Sequence, residues 1–235
     1  MSDIDYSDSR ILHGLKEEHL TELTSGNGRF RLTPLTAEAF TRMRNDALKD
    51  GINLCIASSF RNFERQKLIF EEKIAGIRKV LDRNECPVDI SAMSRNELIR
   101  TIMFFSAVPG LSRHHWGTDL DVYTPDTLAR GEELDLTNRC YSCGCQQCVG
   151  DWLGENMHRY GFFRPYSHDN DLFSYELWHI SYGPESDLFT GNLDYYECIS
   201  FLREEAGLSA PETVIDIIAD DFNERFKLLS PECQA

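Results

Sequence analysis

Two short blocks of this chain carry side chains that could bind a metal ion and move protons beside it. The first, Ser112-Arg113-His114-His115-Trp116-Gly117-Thr118-Asp119-Leu120-Asp121, sets one or two imidazoles in a turn and delivers a carboxylate on the segment that follows. The second, Glu176-Leu177-Trp178-His179, adds another carboxylate and another imidazole. Two histidines and an aspartate suit a catalytic zinc, which takes nitrogen and oxygen ligands at about 2.0–2.2 Å and keeps one position open for water. Glu176 then stays free to act as a base. Spacing also sets a condition: on a straight strand residues three apart face opposite ways, so Glu176 and His179 can serve one ion only if Glu176 sits in a bend before the strand. The polar run Ser167-His168-Asp169-Asn170-Asp171 upstream favours a turn there. On spacing alone, solvated or hydrogen-bonded structural roles for these His and Asp residues remain an equal alternative.

These blocks need elements to hold them. Leu120 and Val122 alternate with Asp119, Asp121 and Tyr123, so a strand here presents both aspartates and the tyrosine opposite its core face. Leu172 to Tyr182 is aromatic and β-branched enough for a second strand. Ile52, Leu54 and Ile56 alternate with Asn53, Cys55 and Ala57 as in a half-buried strand. Helical spacing runs through Phe40, Met43, Ala47 and Leu48, with Thr36 as cap and Gly51 as stop, and again from Phe63 to Leu81 through Phe70, Ile74 and Ile77. Ser94 with Glu97 forms a capping box for a helix that turns Leu98, Ile99, Ile102 and Met103 inward and stops at Pro109-Gly110. Trp152–Tyr160, Tyr195–Ala206 and Pro211–Leu229 read as further helices. The last of these carries an acidic solvated face and packs through Val214, Ile218, Phe222 and Phe226.

The motif Ser112-x-His114-x-x-Gly117-x-Asp119-x-Asp121 followed by Glu176-x-Trp178-His179 resembles the signature pair of the VanY-type D-alanyl-D-alanine carboxypeptidases. These are zinc peptidases of the lysostaphin, D-Ala-D-Ala peptidase and hedgehog-like superfamily. A third block, Ser58-Ser59-Phe60-Arg61-Asn62-Phe63-Glu64-Arg65-Gln66, is similar to that family's Ser-Gly-Tyr-Arg-Ser-x-x-x-Gln segment. All three occur in the family's order, over residues 30 to 185 or so. The resemblance implies that His114, Asp121 and His179 hold zinc and that Glu176 is general base and acid. It implies further that Arg61 polarises the scissile carbonyl, while Ser112 and Gln66 contact substrate. His114 takes the ligand position ahead of His115, which is left to hydrogen-bond or pack near the rim. Asp119 stands where one version of the motif has Ala; it either orients a ligand or hydrogen-bonds a loop, and the structural role is slightly preferred. Trp178 reads as a wall of the pocket or a core residue; Tyr123 and Tyr182 could reach substrate, but buried tyrosines with satisfied hydroxyls are the preferred reading. Arg61, Arg65 and Arg113 are the candidates for a substrate carboxylate.

The implied fold is α+β, with a small antiparallel sheet carrying the zinc site, flanking helices and extra C-terminal helices, all in one domain over 1–235. The implied function is a D,D- or L,D-carboxypeptidase acting on peptides of the bacterial cell wall. A peptidoglycan endopeptidase and a zinc-stabilised binding module of the hedgehog-like type are the alternatives, and the presence of both Glu176 and Arg61 favours an enzyme.

Cys140, Cys143, Cys145 and Cys148 fall in a polar, cysteine-rich insertion at 135–150. Tandem Cys-x-x-Cys pairs suit a second zinc, although only Gly144 separates them; redox-sensitive disulfides and unligated thiols are the other readings. The insertion lies between the two zinc blocks and could cover the cleft. A net charge of −15, from 24 Lys+Arg against 39 Asp+Glu, argues against nucleic acid or an anionic membrane as partner. The first residues are acidic where a secretory signal would be basic, and no stretch reads as a membrane span. The expectation is a soluble, cytoplasmic protein working on recycled wall peptides or precursors, or released by lysis onto intact stem peptides.

Overall fold

The computed structural model describes residues 4–129, 131–167 and 172–227. Its strands are β1 (Thr21–Ser25), β2 (Gly28–Leu32), β3 (Cys55–Ser58), β4 (Asp119–Tyr123), β5 (Phe162–Phe163) and β6 (His179–Tyr182). Its helices are α1 (Ser9–Leu12), α2 (Pro34–Lys49), α3 (Phe63–Ile74), α4 (Arg95–Phe105), α5 (Asn138–Cys143), α6 (Gln147–Asn156), α7 (Gly183–Gly191), α8 (Tyr195–Glu204) and α9 (Pro211–Lys227). β1 and β2 make a hairpin, and the other strands form an antiparallel sheet in the order β3-β4-β6-β5. This is an α+β fold with the small antiparallel sheet and C-terminal helices that the sequence implies.

Alternation along β4 divides the sheet chemically. Leu120 and Val122, with Ile180 and Trp178, bury one face against Phe40 and Met43 of α2, Tyr141 of α5 and Leu153 of α6. Asp119 and Asp121 therefore turn to the other face. The register sets Asp121 opposite His179, Asp119 opposite Ser181 and Leu120 opposite Ile180, so cross-strand partners share a face. A second core joins Phe63 and Phe70 of α3, Ile99 and Ile102 of α4, Leu202 of α8 and Val214 and Ile218 of α9. His179 of β6 and residues of this helical layer, among them Met103 and Ile218, share the walls of one cavity.

Several boundaries differ from the sequence reading. Helix α2 is capped by Thr33, with Pro34 in its first turn, and Thr36 instead donates its hydroxyl to the buried Glu185. Helix α3 stops at Ile74 rather than Leu81, because Gly76 takes φ +72°, a left-handed conformation that closes a helix end. Ile77 is consequently 74% exposed. Helix α4 already ends at Phe105, and α6 begins at Gln147. The late strand is only His179–Tyr182, with Leu177 and Trp178 in a turn before it. The capping box at Ser94 and Glu97 forms as expected. The run 168–171 and Leu229 lie outside the described residues, as does the side chain of Phe226.

Candidate active site and metal centre

His114 stands in a single 3-10 turn, Arg113–His115, that feeds β4 through Gly117. Gly117 has φ +77°, and a Cβ there would come within 2.3 Å of Leu20 Cδ2, so the bend into the strand requires glycine. The His114 Nδ1–H donates to the Ser59 carbonyl at 2.8 Å, which leaves Nε2 as an acceptor facing inward, 3.5 Å from Asp121 Oδ2. His179 is oriented in the opposite sense. Its Nε2–H donates to Asp119 Oδ1 at 2.9 Å, and Nδ1 faces Asp121 Oδ1 at 3.3 Å and Glu176 Oε2 at 3.2 Å.

One donor atom each from His114, Asp121 and His179 thus falls within 4.8 Å of the others, all three residues being buried. Asp121 Oδ1 is buried without a hydrogen bond. Two imidazole lone pairs and an unsatisfied carboxylate oxygen aimed at a common point form the donor set that Zn²⁺ takes, with each histidine tautomer fixed by its outer acceptor. Burial and the neighbouring Arg61 push His114 below its ordinary pKa, favouring the neutral ring. Burial opposes the charge on His179 too, but the surrounding Asp119, Asp121 and Glu176 raise its pKa well above the usual value.

Glu176 meets the condition set by its spacing. Its backbone N–H is held by the Tyr166 carbonyl at 3.0 Å, and the Leu177 N–H by Asn138 Oδ1 at 3.1 Å, so the chain turns before β6 and brings Glu176 to the same side as His179. Burial raises the pKa of Glu176, against the pull of His179. Arg61 arrives from β3, whose pairing with β4 shifts by a bulge between Ile56 and Ser58. The Arg61 N–H then bonds the His114 carbonyl at 3.0 Å, and Asn62 caps α3. Arg61 Nε is buried and unpaired; burial lowers its pKa, while Asp121 and Glu176 act to raise it.

Arg61, Gln66, Ser112, His114, Glu176 and His179 line one cavity of about 90 Å³. Gln66 donates Nε2–H to the Ala107 carbonyl at 2.7 Å and leaves Oε1 buried and unpaired; Ser112 Oγ is also buried and unpaired. Asp121 is both lining-adjacent and central to the cluster, since its carboxylate faces both histidines.

Asp119 does more than bond a loop. It is fully buried and accepts from His179, from Arg113 Nε at 2.9 Å, from Thr118 Oγ1 at 2.8 Å and from Ser181 Oγ at 2.9 Å. Arg113, 1% exposed and ion-paired with Asp119, is thereby removed as a candidate for a substrate carboxylate, and Arg65 is exposed on α3 outside the cavity. His115 is fully buried rather than near a rim: Nδ1–H donates to the Arg61 carbonyl at 2.6 Å and Nε2 accepts from the Gly110 N–H at 3.0 Å. Burial holds it down to a pKa of about 3. Trp178 belongs to the core below the sheet, and neither Tyr123 nor Tyr182 reaches the cavity.

Sequence reasoning missed Tyr166, whose ring meets His179 edge-on at 4.9 Å. It also missed the apolar end of the cavity, made by Ile69, Met103, Val108, Leu111, Phe173 and Ile218. Tyr166 sits in a loop with no motif around it, whereas Ile69 could have been found from its helical spacing to Gln66.

The arrangement of Cys140, Cys143, Cys145 and Cys148 does not support a second metal site. Cys140 and Cys145 bring their sulfurs to 3.3 Å, but Cys143 and Cys148 are exposed, Cys143 turning to the Arg139 carbonyl at 3.5 Å. Among the described residues, His114, Asp121 and His179 are the group that could hold an ion. The cause is the short spacer. Cys140 and Cys143 fall on α5 and Cys148 on α6, and the insertion packs Tyr141 and Val149 into the core below the sheet instead of covering the cleft.

The chain belongs to the VanY family, described as D-alanyl-D-alanine carboxypeptidase, whose model matches residues 29–185. It is 28% identical over 155 residues to a D-alanyl-D-alanine carboxypeptidase of Enterococcus faecalis, covering 65% of this chain and 47% of that one. Across the curated relatives it matches, the aligned part spans between 44% and 68% of the relative's length. Among solved structures it is similar in fold to VanYB in complex with D-alanine-D-alanine, with TM-score 0.52 and 22% identity over 79% of this chain and 88% of that one. A mutant of the vancomycin resistance D,D-pentapeptidase VanY in complex with Zn(II) gives TM-score 0.51 and 22% identity, over 78% of this chain and 92% of that one.

Proposed function

We propose that this chain is a zinc-dependent carboxypeptidase that releases the terminal residue from peptides derived from the bacterial cell wall. The observation that carries the reading is the convergence of His114, Asp121 and His179, with Glu176 against His179 and Arg61 in the wall of the same cavity. Family membership supports it. In this reading the three converging residues hold Zn²⁺, which when bound lowers the pKa of water toward about 7 and polarises a carbonyl.

The protein's own groups do the rest. Glu176, 3.2 Å from His179 and raised in pKa by burial, takes a proton from the attacking water and returns it to the leaving amine. Arg61 points its guanidinium into the cavity where negative charge develops on the carbonyl oxygen, and its partial burial makes that charge more effective than it would be in water. Gln66 Oε1, unpaired, is available to accept from a substrate N–H, and the unpaired Ser112 hydroxyl to donate to a substrate carboxylate. Asp119 keeps His179 in the tautomer that directs Nδ1 inward. The apolar end of the cavity accommodates a small side chain. On the same reading the protein is one domain, and it works on soluble wall peptides in the cytoplasm, which cell fractionation would check.

The test is to incubate zinc-loaded protein with peptides ending in D-Ala-D-Ala, in L-centre-D-Ala, and with an internal bond of the same kind. Mass spectrometry then reads which bond is cut. Loss of one terminal residue, abolished in Glu176→Gln, is the expected result; internal cleavage alone would make the protein an endopeptidase. No cleavage of any peptide would favour the non-catalytic, zinc-stabilised module.

A further inference from the structure

We propose that Lys73, held against Ser106 of the cavity wall, forms an anionic-ligand position at the edge of the catalytic cavity and selects peptides by a carboxylate group. The inference rests on the peptidase reading above. Lys73 follows Gln66 by seven residues and Ile69 by four, and residues so spaced share a face of α3. Gln66 and Ile69 are cavity walls. The Lys73 Nζ donates to Ser106 Oγ at 2.5 Å, and Ser106 lines the same cavity.

The lysine is half-buried and has no ion pair among the described residues, in a chain with 39 acidic residues. An ammonium has three donors, and Ser106 takes one of them. A cation so placed is costly unless an anion completes it. Burial pulls its pKa down to about 8, with Glu176 acting to raise it and Arg61 to lower it.

The other nearby arginines are accounted for, since Arg113 is bound to Asp119 and Arg65 lies outside the cavity. Lys73 differs from both in being tied to the cavity wall through Ser106 while making no ion pair among the described residues. The ligand chemistry is a carboxylate, held by a charge-assisted hydrogen bond from Nζ with Ser106 as neighbour. It comes either from the terminus of the leaving residue or from an acidic side chain of the peptide.

The experiment uses zinc-loaded full-length wild type, Lys73→Met and Lys73→Arg, with zinc content as the control for an intact site. The substrates are acetylated peptides ending in D-Ala-D-Ala, as free acid and as amide, each with an acidic or a neutral residue upstream. Lys73→Met is expected to raise KM about ten- to a hundredfold while kcat falls less, with Lys73→Arg recovering most of the loss. A penalty absent from the amide assigns the terminal carboxylate. A penalty that follows the upstream acidic residue assigns the side chain. Equal penalties on all peptides, or none, overturn the proposal while leaving the hydrolase reading intact. If wild type cuts nothing, the hydrolase reading fails, and equilibrium binding of the same peptides to wild type and Lys73→Met then decides: affinity that depends on both Lys73 and a carboxylate supports the position, and affinity independent of them overturns it.

Discussion

Replacing Asp119 by Asn probes how the metal site is held, because one buried carboxylate there serves four donors. Arg113 Nε, Thr118 Oγ1, Ser181 Oγ and His179 Nε2 all lie within 2.9 Å of its oxygens. Asparagine keeps the shape and can keep its Oδ1 toward Arg113 and His179, but it turns an amide N–H₂ toward the Thr118 and Ser181 hydroxyls that donate in wild type, and it removes the charge opposite Arg113. Breaking one partner of a buried ion pair costs about 3–5 kcal/mol, a large part of the roughly 5–15 kcal/mol that holds a domain together. A neutral amide oxygen is a weaker acceptor than the carboxylate for the outer nitrogen of His179, which loosens the ring's orientation and lowers zinc affinity about 10–100-fold. Urea unfolding of metal-free protein reads the first effect, and competition against a chromogenic chelator reads the second. Arg113→Met combined with Asp119→Asn should recover part of the stability, since no buried cation is then left unpaired, but should not recover the zinc affinity. Stability within about 0.5 kcal/mol of wild type together with unchanged zinc affinity in Asp119→Asn would refute the reasoning.

Other expectations follow from the same geometry. Glu176→Gln should retain its zinc while kcat drops by about 10²–10⁴, the usual contribution of a positioned acid–base group; steady-state kinetics with metal analysis checks this. Arg61→Met should lower kcat about 10²–10³-fold, as expected for losing a donor to the developing oxyanion, with a smaller change in KM. Ile218→Trp, on α9 beyond the family-matched residues, should fill the apolar end of the cavity and raise KM for large terminal residues more than for D-Ala. Lys73 gives a pH signature in stability. Its folded pKa of about 8 lies below the ordinary 10.5, so the folded protein binds fewer protons between those values and stability gains at most about 1.4 kcal/mol per pH unit as pH rises through that window. Chemical unfolding of wild type and Lys73→Met across pH 8–10.5 should show the gain in wild type alone.

What the sequence made legible was local. The alternation of Leu120 and Val122 with Asp119 and Asp121 follows from the period of a strand, and β4 turns its carboxylates away from the core for that reason. Ser94 and Glu97 announce a helix start through reciprocal hydrogen bonds that need no distant partner. The bend that brings Glu176 beside His179 could be deduced as a condition, though its cause is tertiary: the backbone is held by Tyr166 and Asn138. Apolar residues past Gly76 kept a helical period, and the left-handed glycine overrode it, so Ile77 ended up in solvent. The remaining misses share one origin. Tyr166, Lys73 and Ile218 reach the site through contacts between segments far apart in the chain, and the Arg113–Asp119 pair exists because a turn and a strand fold onto one another. The cysteine cluster was the reverse case, in which a suggestive spacing was pulled apart by the helices that carry it.

The most direct test of the zinc-peptidase account is a titration of chelator-stripped protein with zinc, following release of D-Ala from a peptide ending in D-Ala-D-Ala. Activity should be absent without metal, rise in proportion to added zinc and level off at about one equivalent per chain, both in wild type and in a variant with Cys140, Cys143, Cys145 and Cys148 changed to Ser. His114→Ala should stay inactive throughout. Undiminished activity in the stripped protein, or none at any zinc loading, would contradict the account.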